Sequence, residues 1–316
     1  MSTGIQVVVG GSGGTGGALV RELAGRGLPV RSVSRKAPVD MPGGVEVRLG
    51  DAADPAFMRS AAEGAAVVYN AVNPPYPRWT SEFPPLMASI TAAAEASGAK
   101  LVLADNLYMY GPVTGPLSET SPTNPAGKKG KLRKSLAEQL LAAHRAGRVR
   151  VAIGRSSDYF GPGGLGTAVG DRVFESALKG KSAQWLGSLD VPHAVGYLPD
   201  MARALAILGT RDEAGGQVWH LPGAAALTGR EFVGVIGDVL GRPVKVSATS
   251  PTMVRIAGVF SPFIRELSET MYQWTAPWVV ESAKFDATFG PFEATPHREA
   301  IAATLDWFGA REGARG

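Results

Sequence analysis

The sequence predicts an α/β chain built on a doubly wound parallel sheet with a smaller C-terminal lobe. Two observations predict it. Apolar runs rich in β-branched residues alternate with Ala/Leu-rich segments of helical period, which is the pattern of βαβ units and a parallel sheet. A glycine-rich turn, GGSGGTG, follows the first apolar run and opens the first helical one, where missing side chains let a backbone approach a phosphate.

The elements follow in order. Strands are expected at Ile5–Val9, Val30–Ser34, Val45–Leu49, Ala66–Asn70, Lys100–Ala104, Val149–Ile153 and Val218–Leu221, each a short apolar run bounded by turn residues. Helices are expected between them at Gly14–Ala24, Pro55–Ala62, Pro84–Ser97, Lys131–His144, Val173–Lys179 and Asp200–Leu208. No segment repeats at a fixed period, so a solenoid or propeller is not expected. After about Pro222 the texture changes to short helical pieces, Pro-interrupted turns and the pair Trp274 and Trp278. The expected division is therefore discontinuous. Residues 1–160 and 197–222 form a nucleotide-binding unit, and residues 161–196 and 223–316 form the smaller, substrate-binding lobe.

With 316 residues the chain can bury a full core, and 45% hydrophobic against 19% charged residues is a globular balance. The absence of cysteine excludes disulfides, thiol nucleophiles and cysteine-ligated metals. The formal charge is +4, and the one dense basic run, Lys128, Lys129, Lys131, Arg133 and Lys134, carries no interleaved aromatics. A solvated helix face is expected there, and no nucleic-acid partner. No apolar stretch reaches the roughly 18 residues of a membrane span, and the start runs directly into a strand pattern without a basic leader. A cytoplasmic protein is expected, as a monomer or homodimer, with no membrane partner. His144, His193, His220 and His297 show no metal spacing, so no metal is expected.

The glycine turn is the cofactor site. It holds a G-x-G-x-x-G match at Gly11, Gly13 and Gly16 and a G-x-x-G-x-x-G match at Gly10, Gly13 and Gly16. Between strand and helix, Gly10 to Gly16, with Ser12, Gly14 and Thr15, would cradle a pyrophosphate. The end of the second strand, where an acid would hold a ribose 2′-hydroxyl, reads Ser34, Arg35, Lys36 instead. A hydroxyl and two cations suit a 2′-phosphate, so NADP(H) is expected over NAD. The same turn also spells G-x-S-x-G, a nucleophile elbow at Ser12 with Asp190 or Asp200 and His220 or His297 as partners. The extra glycines and the place on the first strand favour the phosphate loop.

On these residues the chain resembles the extended short-chain dehydrogenases, the NAD-dependent epimerase/dehydratase family, over nearly its whole length. LGDAAD, with Asp51 and Ala52, resembles the family's adenine-contacting segment, and NAV, with Asn70 and Ala71, its strand end beside the nicotinamide ribose. GRSSDYFGPG, with Ser156, HAVGYLPDMARAL and VWHLPGAAALTGREFV resemble three later family segments in the right order. The resemblance implies a Rossmann fold, a nicotinamide cofactor and a Y-x-x-x-K pair on one helix face.

That pair is incomplete. KSLAEQLL resembles the lysine segment and supplies Lys134, but four residues earlier stands Gly130. ADNLYMYGP resembles the segment of the catalytic serine or threonine and supplies Asn106. The resemblance implies that Lys134 holds the nicotinamide ribose. Asn106 is expected to orient a substrate oxygen, and Tyr108, two residues on, or water to supply the proton. Tyr76, Trp79, Tyr159, Trp274 and Trp278 are expected to line the substrate pocket. The function expected is an NADPH-dependent oxidoreductase acting on a carbonyl or conjugated double bond of a fairly apolar small molecule. The alternatives are a non-catalytic NADP(H)-binding redox sensor and a non-redox epimerase, lyase or cyclase.

Overall fold

The computed structural model describes residues 4–38 and 40–313, with Pro262, Phe263 and Glu312 lacking described side chains. Its strands are β1 (Ile5–Val9), β2 (Val30–Ser34), β3 (Glu46–Leu49), β4 (Ala65–Asn70), β5 (Lys100–Asp105), β6 (Arg150–Arg155), β7 (Asp158–Phe160), β8 (Ala183–Leu186), β9 (Val195–Tyr197), β10 (Gln217–His220) and β11 (Val246–Thr249). The helices are α1 (Gly14–Gly25), α2 (Pro55–Ala61), α3 (Trp79–Ser97), α4 (Lys128–Arg145), α5 (Asp171–Leu178), α6 (Leu198–Thr210), α7 (Gly229–Leu240), α8 (Pro251–Phe260), α9 (Pro262–Leu267), α10 (Ala283–Phe289) and α11 (His297–Gly313).

Seven strands form the main sheet in the order β10-β6-β5-β4-β1-β2-β3, and every neighbouring pair is parallel. The chain winds outward from β1 through β2 to β3, then crosses back to β4 and winds the other way. Strand order therefore reverses between β1 and β4, and the crevice beyond their carboxyl ends is where such sheets bind ligands.

Both faces of the sheet are covered, and alternation along the strands explains how. Val7 and Val9 of β1 and Val68 of β4 enter the core shared with α2, α3 and α4. Val8, Val67 and Tyr69 point the other way, into the core shared with α1, α6 and α10. A third core lies outside the sheet, where Phe160, Phe174, Trp185, Phe232 and Phe308 pack among α5, α7, α11 and the β8–β11 pair. Phe285 of α10 returns to the core beneath α6.

Several boundaries differ from expectation for stated reasons. Helix α3 begins at Trp79 and carries Pro84 and Pro85 inside it, because burial of Trp79 and Phe83 outweighs the missing donors. Strand β6 runs on through Arg155, which pairs in register with Asp105. The helix expected from Lys131 begins at Lys128 with Gly127 as its cap. Strands β7, β9, β8 and β11 are three or four residues long and pair with distant partners, too short to carry a sequence period. No helix among the described residues is long and apolar enough to cross a membrane.

Candidate functional site

The glycine turn is shaped by backbone contact. Gly10 sits at φ +92°, and its carbonyl accepts the Gly13 N–H at 2.9 Å. A Cβ on Gly16 would lie 2.1 Å from that carbonyl oxygen, and one on Gly14 would lie 2.9 Å from Gly163 O. Helix α1 then starts with no side-chain cap and no acid in its first turn. Ser12 and Gly13 are exposed at this end, so free N–H groups and the helix dipole face outward together. The residues fit a phosphate group.

The flanking residues follow the sheet ends. Ser34 is buried, with its hydroxyl donated to Lys36 O at 2.6 Å, and so it shapes the turn. Arg35 and Lys36 beyond it are exposed, and no ion pair holds either among the described residues. Asp51 accepts the Ala53 N–H, and Ala52 is buried beneath it. Asn70 is buried and accepts the Val72 N–H, while Ala71 packs against Gly10 across the β1–β4 crevice. Ser156, also buried, donates its backbone N–H to Asp105 O at the far side.

Asp105, at the end of β5, anchors a buried polar chain whose pairing no local pattern in the sequence shows. Arg133 holds one carboxylate oxygen at 2.7 Å and Arg155 the other at 3.2 Å. Arg155 also donates to the Tyr110 hydroxyl at 2.9 Å, which lies 2.8 Å from His220 Nε2. His220 Nδ1 faces the Glu281 carbonyl at 3.1 Å. A carbonyl only accepts, so Nδ1 carries the hydrogen and Nε2 receives the tyrosine O–H. Burial lowers the pKa of this imidazole to about 4, and it is neutral.

Helix α4 presents a different face from the expected one. Its buried residues are Lys129, Gly130, Arg133, Leu136, Ala137, Leu140 and Ala143, which puts Lys129 and Arg133, one turn apart, on the inner side. Lys134 sits on the flank. Its ammonium donates to Thr123 O at 3.1 Å, and its side chain is 34% exposed. Gly130 opens no room for a ligand. A Cβ there would stand 2.5 Å from Tyr108 O and 2.9 Å from Pro125 Cβ, so no tyrosine can be seated at this position without displacing the loop.

Tyrosines instead gather around Asp158 at the crevice. Tyr76 lies beside Tyr108 and Thr270, and Tyr159 lies beside Thr15 of the glycine turn. Burial raises the hydroxyls of Tyr76, to about 12, and of Tyr108, Tyr159 and Tyr272, and the nearby Asp158 charge pushes each further up. None of the four ionises at neutral pH. Asn106 accepts the Tyr108 N–H at 3.1 Å, which holds the Tyr108 turn and leaves the Asn106 amide N–H groups for a ligand. Asp158 lies 3.1 Å from His193 Nε2.

Three cations on this side are paired. Lys129 bonds Glu266 and lies 4.3 Å above the Tyr76 ring, and Arg133 and Arg155 share Asp105. The expected tryptophans form a backing layer, not a lining. Trp79, 3% exposed, stacks behind Tyr108, and Trp274, 3% exposed, stacks behind His193 at 3.8 Å. Trp278, 2% exposed, packs edge-on against Tyr272. An open cleft of about 740 Å³ lined by Gly237, Asp238, Arg242 and Arg298 lies between the end of α7 and the start of α11. No group of metal-ligating side chains occurs among the described residues.

The family model of the NAD-dependent epimerase/dehydratase family matches residues 6–221. No curated protein matches the chain. Among solved structures, MoeE5 in complex with UDP-glucuronic acid and NAD superposes with a TM-score of 0.78 at 19% identity, over 97% of this chain and 99% of its own. The dTDP-glucose 4,6-dehydratase DesIV from Streptomyces venezuelae gives 0.76 at 18%, over 98% of each chain. UDP-glucuronic acid 4-epimerase from Bacillus cereus gives 0.79 at 15%, over 97% and 99%. At these identities the likeness is one of fold.

Proposed function

The chain belongs to the NAD-dependent epimerase/dehydratase family, and from that premise we propose that it is an NADPH-dependent oxidoreductase acting on an uncharged, fairly apolar carbonyl or enone. The observation that carries this reading is the pairing of two ends of one crevice. At one end the uncapped glycine turn stands beside the free cations Arg35 and Lys36. At the other, un-ionised tyrosines stand around Asp158, and Lys129, Arg133 and Arg155 are each paired with a carboxylate.

In this reading Gly10 to Gly16 hold the pyrophosphate against the start of α1. Arg35 forks onto the 2′-phosphate, with Lys36 beside it. Asp51 and Ala52 border the adenine, and Asn70, Ala71 and Ser156 border the nicotinamide end. NADPH, when bound, supplies hydride. The Asn106 amide orients the substrate oxygen, the Tyr108 hydroxyl donates a hydrogen bond to it, and Tyr76 and Tyr159 close the walls. Lys134, whose ammonium donates to Thr123 O and is one-third exposed, would reach the nicotinamide ribose from the flank of α4.

The charge balance argues against an anionic substrate such as the sugar nucleotides named for MoeE5. A diphosphate brought to Asp158 would meet a carboxylate, and Lys129, Arg133 and Arg155 are already paired, whereas buried charge requires a partner. The test is NADPH consumption across ketones, enones and nucleotide sugars. Turnover of a neutral carbonyl is expected. Conversion of a nucleotide sugar with no net change in nicotinamide absorbance would replace this reading with the non-redox alternative.

A further inference from the structure

The Asp158–His193 pair stands at the crevice, and the mechanism above leaves it unused. His193 is 1% exposed, while the Asp158 side chain, 17% exposed, reaches the tyrosine-lined space. His193 Nδ1 lies 3.0 Å from the carbonyl of Gln273, and Nε2 lies 3.1 Å from a carboxylate oxygen of Asp158. Each ring nitrogen thus faces an oxygen that, as carbonyl or carboxylate, can only accept. The neutral imidazole has one N–H and cannot satisfy both. Two states can: imidazolium with carboxylate, or neutral imidazole with a protonated Asp158 that donates to Nε2. Either state carries one proton more than a neutral histidine beside a free carboxylate.

His220 shows the contrast within the same molecule. Its Nδ1 faces a carbonyl, but its Nε2 faces the Tyr110 hydroxyl, which can donate, so the neutral ring is satisfied there. At His193 both partners can only accept, so a pair that carries the extra proton is the one that satisfies them. The ring stacks on Trp274 at 3.8 Å and 15°, a geometry that favours a cationic imidazole. Among the described residues, the titratable groups that feel Asp158 besides His193 are the hydroxyls of Tyr76, Tyr108, Tyr159 and Tyr272, all un-ionised, so none draws that proton away.

We propose that Asp158 is the acid that delivers the reaction's proton and that His193 stores it, taking the place of the tyrosine that Gly130 excludes. This rests on the reductase reading for its substrate. As the carbonyl carbon accepts hydride, the π pair moves to oxygen, the Asp158 O–H bond breaks and its proton joins that oxygen. Where Asp158 starts as the carboxylate, the proton first passes to it from His193 Nε2. Carbonyl, NADPH and one proton become alcohol and NADP⁺, and the pair, left as carboxylate and Nδ1–H imidazole, regains its proton from solvent through the accessible edge of Asp158. Tyr108 steers the oxygen by hydrogen bonding and keeps its own proton.

The test begins without cofactor. Nitrogen-15 NMR of histidine-labelled protein at neutral pH, with His193 assigned from a His193→Gln variant, reads the state of each ring nitrogen. The expected wild-type spectrum has the extra proton on the pair, as a second ring N–H or a strongly hydrogen-bonded Nε2 beside a carboxylic acid. Asp158→Asn should abolish it. A wild-type His193 that is an ordinary neutral tautomer beside an ionised Asp158 overturns the proposal, whatever the enzyme turns over. On a carbonyl that the wild type reduces, Asp158→Asn should slow turnover by about 10²–10⁴-fold with NADPH affinity unchanged. Unchanged turnover in that variant also overturns it. No turnover of any carbonyl by the wild type defeats the reductase reading instead, while the spectrum still decides whether the pair holds its proton.

Discussion

Tyr159 stands close enough to Thr15 for that side chain to offset part of the rise that burial gives its hydroxyl, and through this approach the strand end beside the substrate space reaches the glycine turn. The two residues are far apart in sequence and belong to opposite walls of the crevice. A Tyr159→Phe variant should fold normally yet weaken NADPH binding about fivefold, which is about 1 kcal/mol, the net worth of one hydrogen bond. Isothermal titration would show it. Unaltered affinity would mean that the glycine turn holds its shape without this contact.

The exposed Arg35 sets the cofactor preference. NADPH should bind at least about tenfold more tightly than NADH, a gap of about 1.4 kcal/mol that one charge-assisted fork can supply. Arg35→Ala should remove most of the gap and leave NADH affinity nearly unchanged. Equal affinities in the wild type would refute the assignment.

Asp105 neutralises two buried guanidinium groups. Asp105→Ala leaves both Arg133 and Arg155 without a counter-ion, and stability should fall by about 3–5 kcal/mol in urea unfolding. A loss below about 1 kcal/mol would show that the Tyr110 and Ala104 oxygens, which also accept from these arginines, suffice alone.

The neutral His220 makes stability acid-sensitive. Its folded pKa, about 4, lies below the ordinary 6.5 because burial disfavours the charged ring. On acidification the unfolded chain takes up a proton first, so the stabilisation is complete above about pH 6.5 and is lost as pH falls toward 4. The melting temperature should drop through that window. A His220→Asn variant, less stable at neutral pH, should show a flatter profile across it.

What the sequence made legible is what local pattern controls. Strands β1 and β2 fall where β-branched runs place them, and the glycine turn needs only its own spacing to declare a close backbone approach. The contents of the crevice depend on long-range pairing, which leaves no local trace. Asp158 and His193 are 35 residues apart, and each reads alone as a loop carboxylate or a core histidine. Trp79 and Trp274 look like pocket walls in sequence but stand one layer behind it, because an indole is large enough to back a tyrosine or a histidine and still be buried. Lys129 and Lys134 are both cations on one helix, and only the packing of Leu136 and Leu140 decides which faces inward. A signal for Asp158 did exist. It sits next to Tyr159, at the end of a strand in a segment already recognised as family-like.

The close approach of Gly130 to Tyr108 also bears on ancestry. With a Cβ at this position 2.5 Å from a backbone oxygen, reverting the glycine by mutation alone would collide with the loop before it gained a proton donor. Any lineage that reached this arrangement must change the loop and the helix together to recover a Y-x-x-x-K pair, and each change made singly is a loss. Selection acting one substitution at a time would then refine whatever acid the crevice already holds. Among descendants of such a protein, diversity should accumulate in the crevice walls, while the glycine and the loop backbone it supports stay locked.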